Sequence, residues 1–220
     1  MSEYRDMSLC DLRRLNSPEA IREITGIHDI GLLLLPKDAD DETAAALASI
    51  PMQGVGMPLY LDRDATVTVF NGMQELDAGD FVKEKDQHYL INGMAVIHDL
   101  PEESETTLYI NGIVILHESL RGASQVRFGM VNGLKVYMDF DQVKSFSNNA
   151  ALDAAFFEYL EPGTLIVAGN SITLDPDIPL ALLRDGGFRF VAGNKIRCSR
   201  MLLSYVQTVS MAGNTIEAYE

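Results

Sequence analysis

A short motif in which Asn and Gly are adjacent recurs along this sequence and constrains its fold more than any other feature. Asn-Gly stands at 71–72, 92–93, 111–112 and 132–133, and Gly-Asn stands at 169–170, 193–194 and 213–214. Random order would give about 1.5 such pairs in a chain of this composition. The excess identifies an internal repeat, whose units are expected to pack against their neighbours along the chain.

The residues that follow each Asn alternate in polarity. The residue two positions after Asn is apolar in every copy: Met73, Met94, Ile113, Leu134, Ile172, Ile196 and Ile216. Alternation with period two is typical of a strand with one buried face. Successive Asn residues lie 21, 19, 21, 38, 24 and 20 residues apart. This step favours stacked coils, and the gap of 38 predicts one coil that has lost its Asn. The alternative is a set of β-hairpins, each closed by a type I′ Asn-Gly turn.

We therefore predict a β-rich α/β repeat solenoid. Its parallel strands lie in coils of roughly 20 residues, with short helices in the N-terminal and C-terminal parts. Residues 1–58 are predicted to form an α/β segment continuous with the solenoid. Residues 59–220 are predicted to form the repeat array, with β coils to about residue 145 and strand-helix coils after it.

Local signals place several elements. Residues 1–16 are interpreted as a short amphipathic segment, and 30–35 as a buried strand. Ser17-Pro18 is a helix-start signal, and a second helix is predicted over 38–50. Ser147-Asn148-Asn149 is interpreted as the cap of a helix that runs to about Leu160. Further helices are predicted over 179–184 and 201–209.

The recurring Asn residues are predicted to form a structural ladder. A carboxamide has both donors and an acceptor, so stacked copies can hydrogen-bond to one another. The predicted members are Asn71, Asn92, Asn111, Asn132, Asn170, Asn194 and Asn214. The alternative is that each Asn is only an exposed turn residue.

One segment carries a family resemblance. Residues 165–172 read LxVxxNxI, which resembles the conserved segment of leucine-rich-repeat proteins. The resemblance extends over 160–220, although Arg189 takes the place of Leu165 in the next copy. It implies a parallel sheet lined by the apolar residues and a buried Asn ladder. The Asn-Gly copies in the middle of the chain look more like a parallel β-solenoid of bacterial polymer-forming cytoskeletal proteins.

Composition and motifs exclude several functions. The net charge of −15 argues against nucleic acid and anionic membranes as partners, because both recruit Lys and Arg. Cys10 and Cys198 lie far apart and form neither a disulfide framework nor a zinc motif. No phosphate-binding, nucleophile-elbow or HExxH motif occurs. No cofactor is predicted, and the lack of a signal-peptide pattern predicts a cytoplasmic protein.

One pair of side chains is a candidate metal site. His98 and His117 each lie six residues after a repeat Asn, so stacked coils would place them on one face about 5 Å apart. Asp99 and Glu118 follow them and supply carboxylates. The alternative is that this face is simply solvated.

The predicted function is that of a non-catalytic structural or protein-interaction module, which self-associates as a homo-oligomer or docks through sheet edges. The strand signal at 213–220 has no cap helix after it, and we expect it to pair with another copy or another protein. The alternative function is a metal- or carbohydrate-dependent enzyme that uses the face of His98 and His117.

Overall fold

The fold is β-rich, with four parallel sheets of four strands each and a few short helices. A computed structural model describes residues 1–81, 87–101, 106–123 and 126–219. Every strand pairing in these residues is parallel, which excludes the hairpin alternative. The longest helix has 10 residues. This architecture is compatible with a parallel β/α repeat.

The N-terminal sheet is built on one long buried strand. Its elements are β1 (Ser2–Asp11), α1 (Pro18–Arg22), β2 (Ile24–Pro36), α2 (Asp41–Ala48), β3 (Met52–Gln53) and β4 (Met57–Leu61). β2 pairs with the other three strands. Ile27, Ile30 and Leu33 are buried in the same cluster as Ile21 of α1 and Leu47 of α2. The predicted domain boundary at residue 58 lies inside β4.

The first strand corrects the interpretation of residues 1–16. Residues 2–11 are extended and form the edge strand β1, which pairs with β2 over most of its length. The amphipathic interpretation depended on Leu9, Leu12 and Leu15, which are three residues apart, but Leu9 lies in β1 and the other two follow it, so they do not form a helical face. Pairing with the apolar strand β2 therefore overrides a weak local pattern.

The middle sheet contains the four Asn-Gly copies in chain order. Its strands are β5 (Val67–Leu76), β6 (Gln87–Ile97), β7 (Thr106–His117) and β8 (Val126–Met138). Asn71, Asn92, Asn111 and Asn132 are aligned in register across all four strands. Each Asn-Gly lies inside one continuous strand rather than at a turn between two strands.

The C-terminal part repeats a unit of two strands and a helix. Its elements are β9 (Gln142–Phe146), β10 (Asn149–Leu152), α3 (Ala154–Glu158), β11 (Thr164–Ala168), β12 (Ser171–Leu174), α4 (Leu180–Asp185), β13 (Arg189–Ala192), β14 (Lys195–Cys198), α5 (Arg200–Val209), β15 (Ser210–Ala212) and β16 (Thr215–Ala218). The sheets have the orders β9-β11-β13-β15 and β10-β12-β14-β16. Each unit therefore pairs with the preceding one through two different sheets.

The predicted helix over 147–160 is wrong in its first half. Asn149–Leu152 is strand β10, in which Ala150 and Leu152 are buried and alternate with exposed residues. The helix begins only after Asp153, whose carboxylate accepts the Phe156 backbone N–H at 2.8 Å. Asp153 is thus the N-cap, and the polar run at 147–149 resembled one only in composition.

The middle sheet lies between the two other parts of the chain. Leu90, before the Asn of β6, packs in one cluster with Leu32 and Leu59 of the N-terminal sheet. Val96, after the same Asn, packs in another cluster with Leu165 of the C-terminal part. The two halves of β6 therefore contact different neighbours.

One buried arginine joins the N-terminal sheet to the segment before β5. Arg13 is 8% exposed. Its guanidinium donates to the carbonyl oxygens of Asp62 and Ala65 and to both carboxylate oxygens of Asp11. Burial alone raises the pKa of Asp11, but the hydrogen bonds from Arg13 outweigh it and hold that pKa below its ordinary value. The contact fixes the approach of the chain to the middle sheet.

Candidate interaction site

A ladder of side-chain amides crosses the middle sheet. Asn92 Nδ2 donates to Asn71 Oδ1 at 3.2 Å, Asn111 Nδ2 to Asn92 Oδ1 at 2.9 Å, and Asn132 Nδ2 to Asn111 Oδ1 at 2.8 Å. Parallel in-register strands place identical side chains one strand spacing apart, which is within hydrogen-bonding reach for an amide. All three bonds point the same way, from the later strand to the earlier one. The ladder therefore has a direction.

The glycines beside the ladder allow the strands to bend and to stack closely. Gly93, Gly112 and Gly133 have φ of +134°, +137° and +141°, a region that favours glycine. A Cβ at any of them would overlap the carbonyl oxygen of the glycine in the preceding strand. Asn-Gly is thus needed here for both conformation and close approach, without forming a hairpin turn.

The N-terminal sheet supplies further acceptors to the ladder. Asn132 Nδ2 also lies 3.3 Å from the Gly56 carbonyl oxygen, and Asn111 Nδ2 lies 3.5 Å from that of Gly31. A Cβ at Gly31 would come within 2.9 Å of the Ser8 oxygen, and one at Gly56 within 2.8 Å of the Gly31 oxygen. Glycine at 31 and 56 therefore lets neighbouring segments of the N-terminal part approach closely, and a Cβ at these positions would also lie 3.4 Å from Asn92 Nδ2 and 3.5 Å from Asn111 Nδ2, respectively.

A second, separate ladder lies in the C-terminal part. Asn194 Nδ2 donates to Asn170 Oδ1 at 3.2 Å, and Asn170 Nδ2 donates to Asn149 Oδ1 at 2.8 Å. Asn214 joins the row through its backbone, where its N–H donates to the Asn194 oxygen at 2.8 Å. The seven Asn residues proposed as one set therefore fall into two rows: four lie inside the strands of the middle sheet, and Asn170, Asn194 and Asn214 lie in the bends between consecutive C-terminal strands.

The sequence interpretation missed the first rung of this second row. The backbone N–H of Asn170 donates to the Asn148 oxygen, just as that of Asn194 donates to the Asn170 oxygen. The coil thought to have lost its Asn therefore has one. A signal was present in Ala150 and Leu152, which repeat the apolar spacing after the Asn. Ser147 in place of glycine concealed the motif.

Strand β8 forms one edge of the middle sheet, and β5 forms the other. β8 has 13 residues, and in the described part of the chain only β7 pairs with it. Lys135 lies over the ring of Phe128, 4.1 Å from its centroid, and Met130 is 42% exposed. The edge thus offers a long row of backbone groups that can pair with another strand.

At the β8 edge of the middle sheet, edges of the other two parts of the chain lie close by. A surface cleft of about 610 Å³ is lined by residues of β8, such as Val136, and of β15, such as Met211. Asn132 at the β8 edge contacts Gly56, the residue just before β4, as described above. The last strands of the three parts therefore share one side of the stack.

His98 and His117 lie beside each other against a common aromatic ring. Both imidazoles meet Phe140 edge to face, with centroids 5.3 and 5.1 Å from that of the ring. His98 Nε2 is 2.9 Å from a carboxylate oxygen of Glu75, and His117 Nε2 is 3.6 Å from one of Asp139. The two rings thus face different carboxylates rather than a shared centre.

The sequence predicted that Asp99 and Glu118 would supply carboxylates beside these histidines, but both side chains have other partners. Asp99 accepts the backbone N–H of Ala78, and Glu118 pairs with Arg121. Among the described residues, no three His, Cys, Asp or Glu side chains converge in the way that a metal site requires. The metal site on this face stays a prediction, and the metal content of the purified protein tests it.

The comparisons with known proteins assign no family. No protein-family model, no curated protein and no solved structure matches this chain. Within the described residues, none of the helices has the length and apolar character needed to cross a bilayer. Function is therefore argued from the geometry alone.

Proposed function

We propose that this protein is a non-catalytic structural module that self-associates through the edges of its parallel sheets, with its strands forming the coils of a β-rich solenoid. The observation that carries the proposal is strand β8. β8 is 13 residues long and in the described part of the chain no second strand pairs with its outer backbone groups, and natural proteins rarely leave such an edge without a device that prevents pairing.

The N-terminal sheet carries such devices on its outer strands, whereas β8 keeps a long edge despite Arg127, Lys135 and a register irregularity against β7 between Leu108 and Tyr109. β4 carries Pro58, which has no N–H to donate, and β3 has only two residues. β8 contains no proline. The ammonium of Lys135 is drawn over the Phe128 ring instead of extending along the strand edge. Pairing with another strand is thus left open at β8.

Light scattering tests this proposal directly. Absolute mass is measured over a tenfold or larger concentration range at low and high salt. We expect the mass to rise with concentration, and to rise more steeply at high salt. A net charge of −15 makes the copies repel one another, and salt screens that repulsion. A mass that stays at 24.3 kDa throughout would refute self-association.

A matched pair of substitutions locates the contact. Met130→Lys adds a charge to the exposed part of β8, and Met201→Lys adds the same charge to the exposed face of α5. Both sites are exposed enough to accept lysine without unfolding, which circular dichroism checks. We expect only Met130→Lys to weaken association. Equal effects of the two variants would exclude the β8 edge.

A further inference from the structure

We propose that the partner of β8 is strand β5 of a second copy, so that copies stack head to tail and continue the middle sheet. This inference rests on the proposed function and specifies its geometry. The two edges are at opposite ends of the same parallel sheet and run in the same direction. Joining β8 to β5 therefore repeats a pairing that already occurs three times within one copy.

The direction of the amide ladder makes its two ends complementary. At the β5 end, Asn71 Oδ1 accepts from Asn92, and Asn71 Nδ2 donates to none of the described residues. At the β8 end, Asn132 Nδ2 donates, and its Oδ1 accepts from none of them. Both side chains are exposed. A second copy would place a free donor against a free acceptor, whereas β8 against β8 would place two acceptors together.

The glycine column is complementary in the same sense. The column consists of Gly72, Gly93, Gly112 and Gly133, and each of the last three packs against the carbonyl oxygen of the glycine in the preceding strand. In the described part of the chain, the carbonyl of Gly133 has no further glycine packed against it. Gly72 is the first of the column, and a Cβ there would meet nothing within 4 Å in a single copy. In a head-to-tail stack Gly72 would take the next position after Gly133.

The side chains on the two edges also suit each other. β8 contains Arg127 and Lys135 and no acidic residue, whereas β5 contains Glu75 and no basic residue. Continuing the register would place Lys135 opposite Gln74 of the next copy. Gln74 Nε2 already donates to the Asn71 oxygen at 2.9 Å, so its amide oxygen remains to accept from the ammonium. Opposite charges on facing edges favour this orientation over an equal-edge dimer.

Disulfide trapping between two single variants tests the geometry. Gln74→Cys and Lys135→Cys are purified separately, mixed in equal amounts and oxidised gently, with a longer tag on one of them. Neighbouring strands would bring the two Cα atoms to about 4.8 Å, a separation that a disulfide accepts. Within one copy these positions are three strand spacings apart, about 14 Å, which a disulfide cannot span. The native Cys10 and Cys198 are buried.

The trapping outcomes separate this inference from the proposed function. We expect the disulfide to form between the two variants in the mixture and not within either one alone. Homodimers of one variant would show a symmetric contact, which overturns the head-to-tail order but keeps self-association. No disulfide together with a constant monomer mass would overturn both.

Two substitutions on β5 test the complementary ends. Asn71→Asp keeps the acceptor that Asn92 uses and removes the donor for the next copy, and we expect association to weaken at least about tenfold. Gly72→Ala leaves the single copy free of clashes, and we expect it to abolish stacking by adding a Cβ against the next carbonyl. The control Gly187→Ala has a similar positive φ of +64° and a nearest contact of 3.8 Å, inside the C-terminal part. Unchanged association in both β5 variants would overturn the inference.

Discussion

The direction of the amide ladder predicts that the same substitution destabilises the fold at one rung and has little effect at another. Asn111→Asp replaces an amide that donates to Asn92 Oδ1 at 2.9 Å and approaches the Gly31 oxygen at 3.5 Å. The new carboxylate turns oxygens toward both acceptors, while it still accepts from Asn132. At position 71 the side chain, among the described residues, only accepts a hydrogen bond, from Asn92, and an aspartate can accept the same bond. Asn71→Asp therefore keeps this hydrogen bond within the copy.

The size of the difference follows from these contacts. Losing one hydrogen bond and leaving its acceptor unpaired costs about 1–3 kcal/mol, and the repulsion between oxygens adds to it. The hydrogen bond that Asn132 donates to position 111 becomes stronger when a carboxylate accepts it, and this offsets part of the loss. We therefore expect Asn111→Asp to lower the free energy of unfolding by about 2–3 kcal/mol, and Tm by about 4–12 °C for a chain of this length. Asn71→Asp should stay within about 0.5 kcal/mol of the unmodified chain.

The assay is thermal and urea unfolding at low concentration, where association does not contribute. The pH dependence provides a second check. The carbonyl oxygens near position 111 raise the pKa of the introduced carboxyl, because they disfavour its charged form. Lowering the pH then protonates it, restores a donor, and should reduce the penalty of Asn111→Asp. If both variants lose the same stability, or neither loses any, the directed ladder does not stabilise the fold.

Three further predictions concern other parts of the chain. Gly112→Ala should cost more than about 3 kcal/mol in urea unfolding, because its Cβ would overlap the preceding strand, whereas Gly72→Ala should cost about 1–2 kcal/mol for its φ of +76° alone; similar costs would contradict the stacking. Arg13→Ala should lower the free energy of unfolding by about 2–3 kcal/mol, since it leaves two carbonyls without their donor, while the exposed Asp11 carboxylate keeps the backbone N–H of residue 13; an unchanged Tm would contradict this. Burial raises the pKa of the Cys10 and Cys198 thiols. Unfolded thiols therefore ionise first, near about pH 8.5, so the free energy of unfolding should be constant below that pH and fall above it. Urea titrations across this range measure the effect, and rapid labelling of either thiol in the folded protein would contradict it.

The sequence indicates the parallel repeat but not the path of the chain through it. Period-two patterning and the step of 19–21 residues place the four Asn-Gly copies in register, because a shift by one residue would turn the apolar face outward. Whether the strand turns back at Asn-Gly or continues depends on the backbone after the glycine. That backbone is set by the neighbouring strand against which Gly112 or Gly133 packs, and a local pattern does not contain this information.

The rungs that were missed show the same limit. Asn148 and Asn149 occupy the first positions of the second ladder, but the residue before them is Ser147. Serine followed by two asparagines is also a strong helix-start signal, so the local evidence favoured the wrong element. Only pairing of Ala150 and Leu152 with β12 shows that the segment is a strand. Contacts between residues about 22 positions apart therefore decide between two interpretations that are equally good locally.

The two ends of the stack differ in a way that bears on assembly. In a parallel sheet every strand has the same direction, so the two edges are never alike. The side-chain amides differ in the same way, because the ladder ends with a free donor at one edge and a free acceptor at the other. A closed symmetric dimer brings like edges together and leaves both free acceptors or both free donors unmatched. A head-to-tail contact satisfies one donor and one acceptor at each junction and reproduces the same free pair at the ends. The N-terminal sheet, with Pro58 near its outer edge, cannot add strands as readily as β8. The middle sheet is therefore the part of the molecule from which growth in one direction is expected.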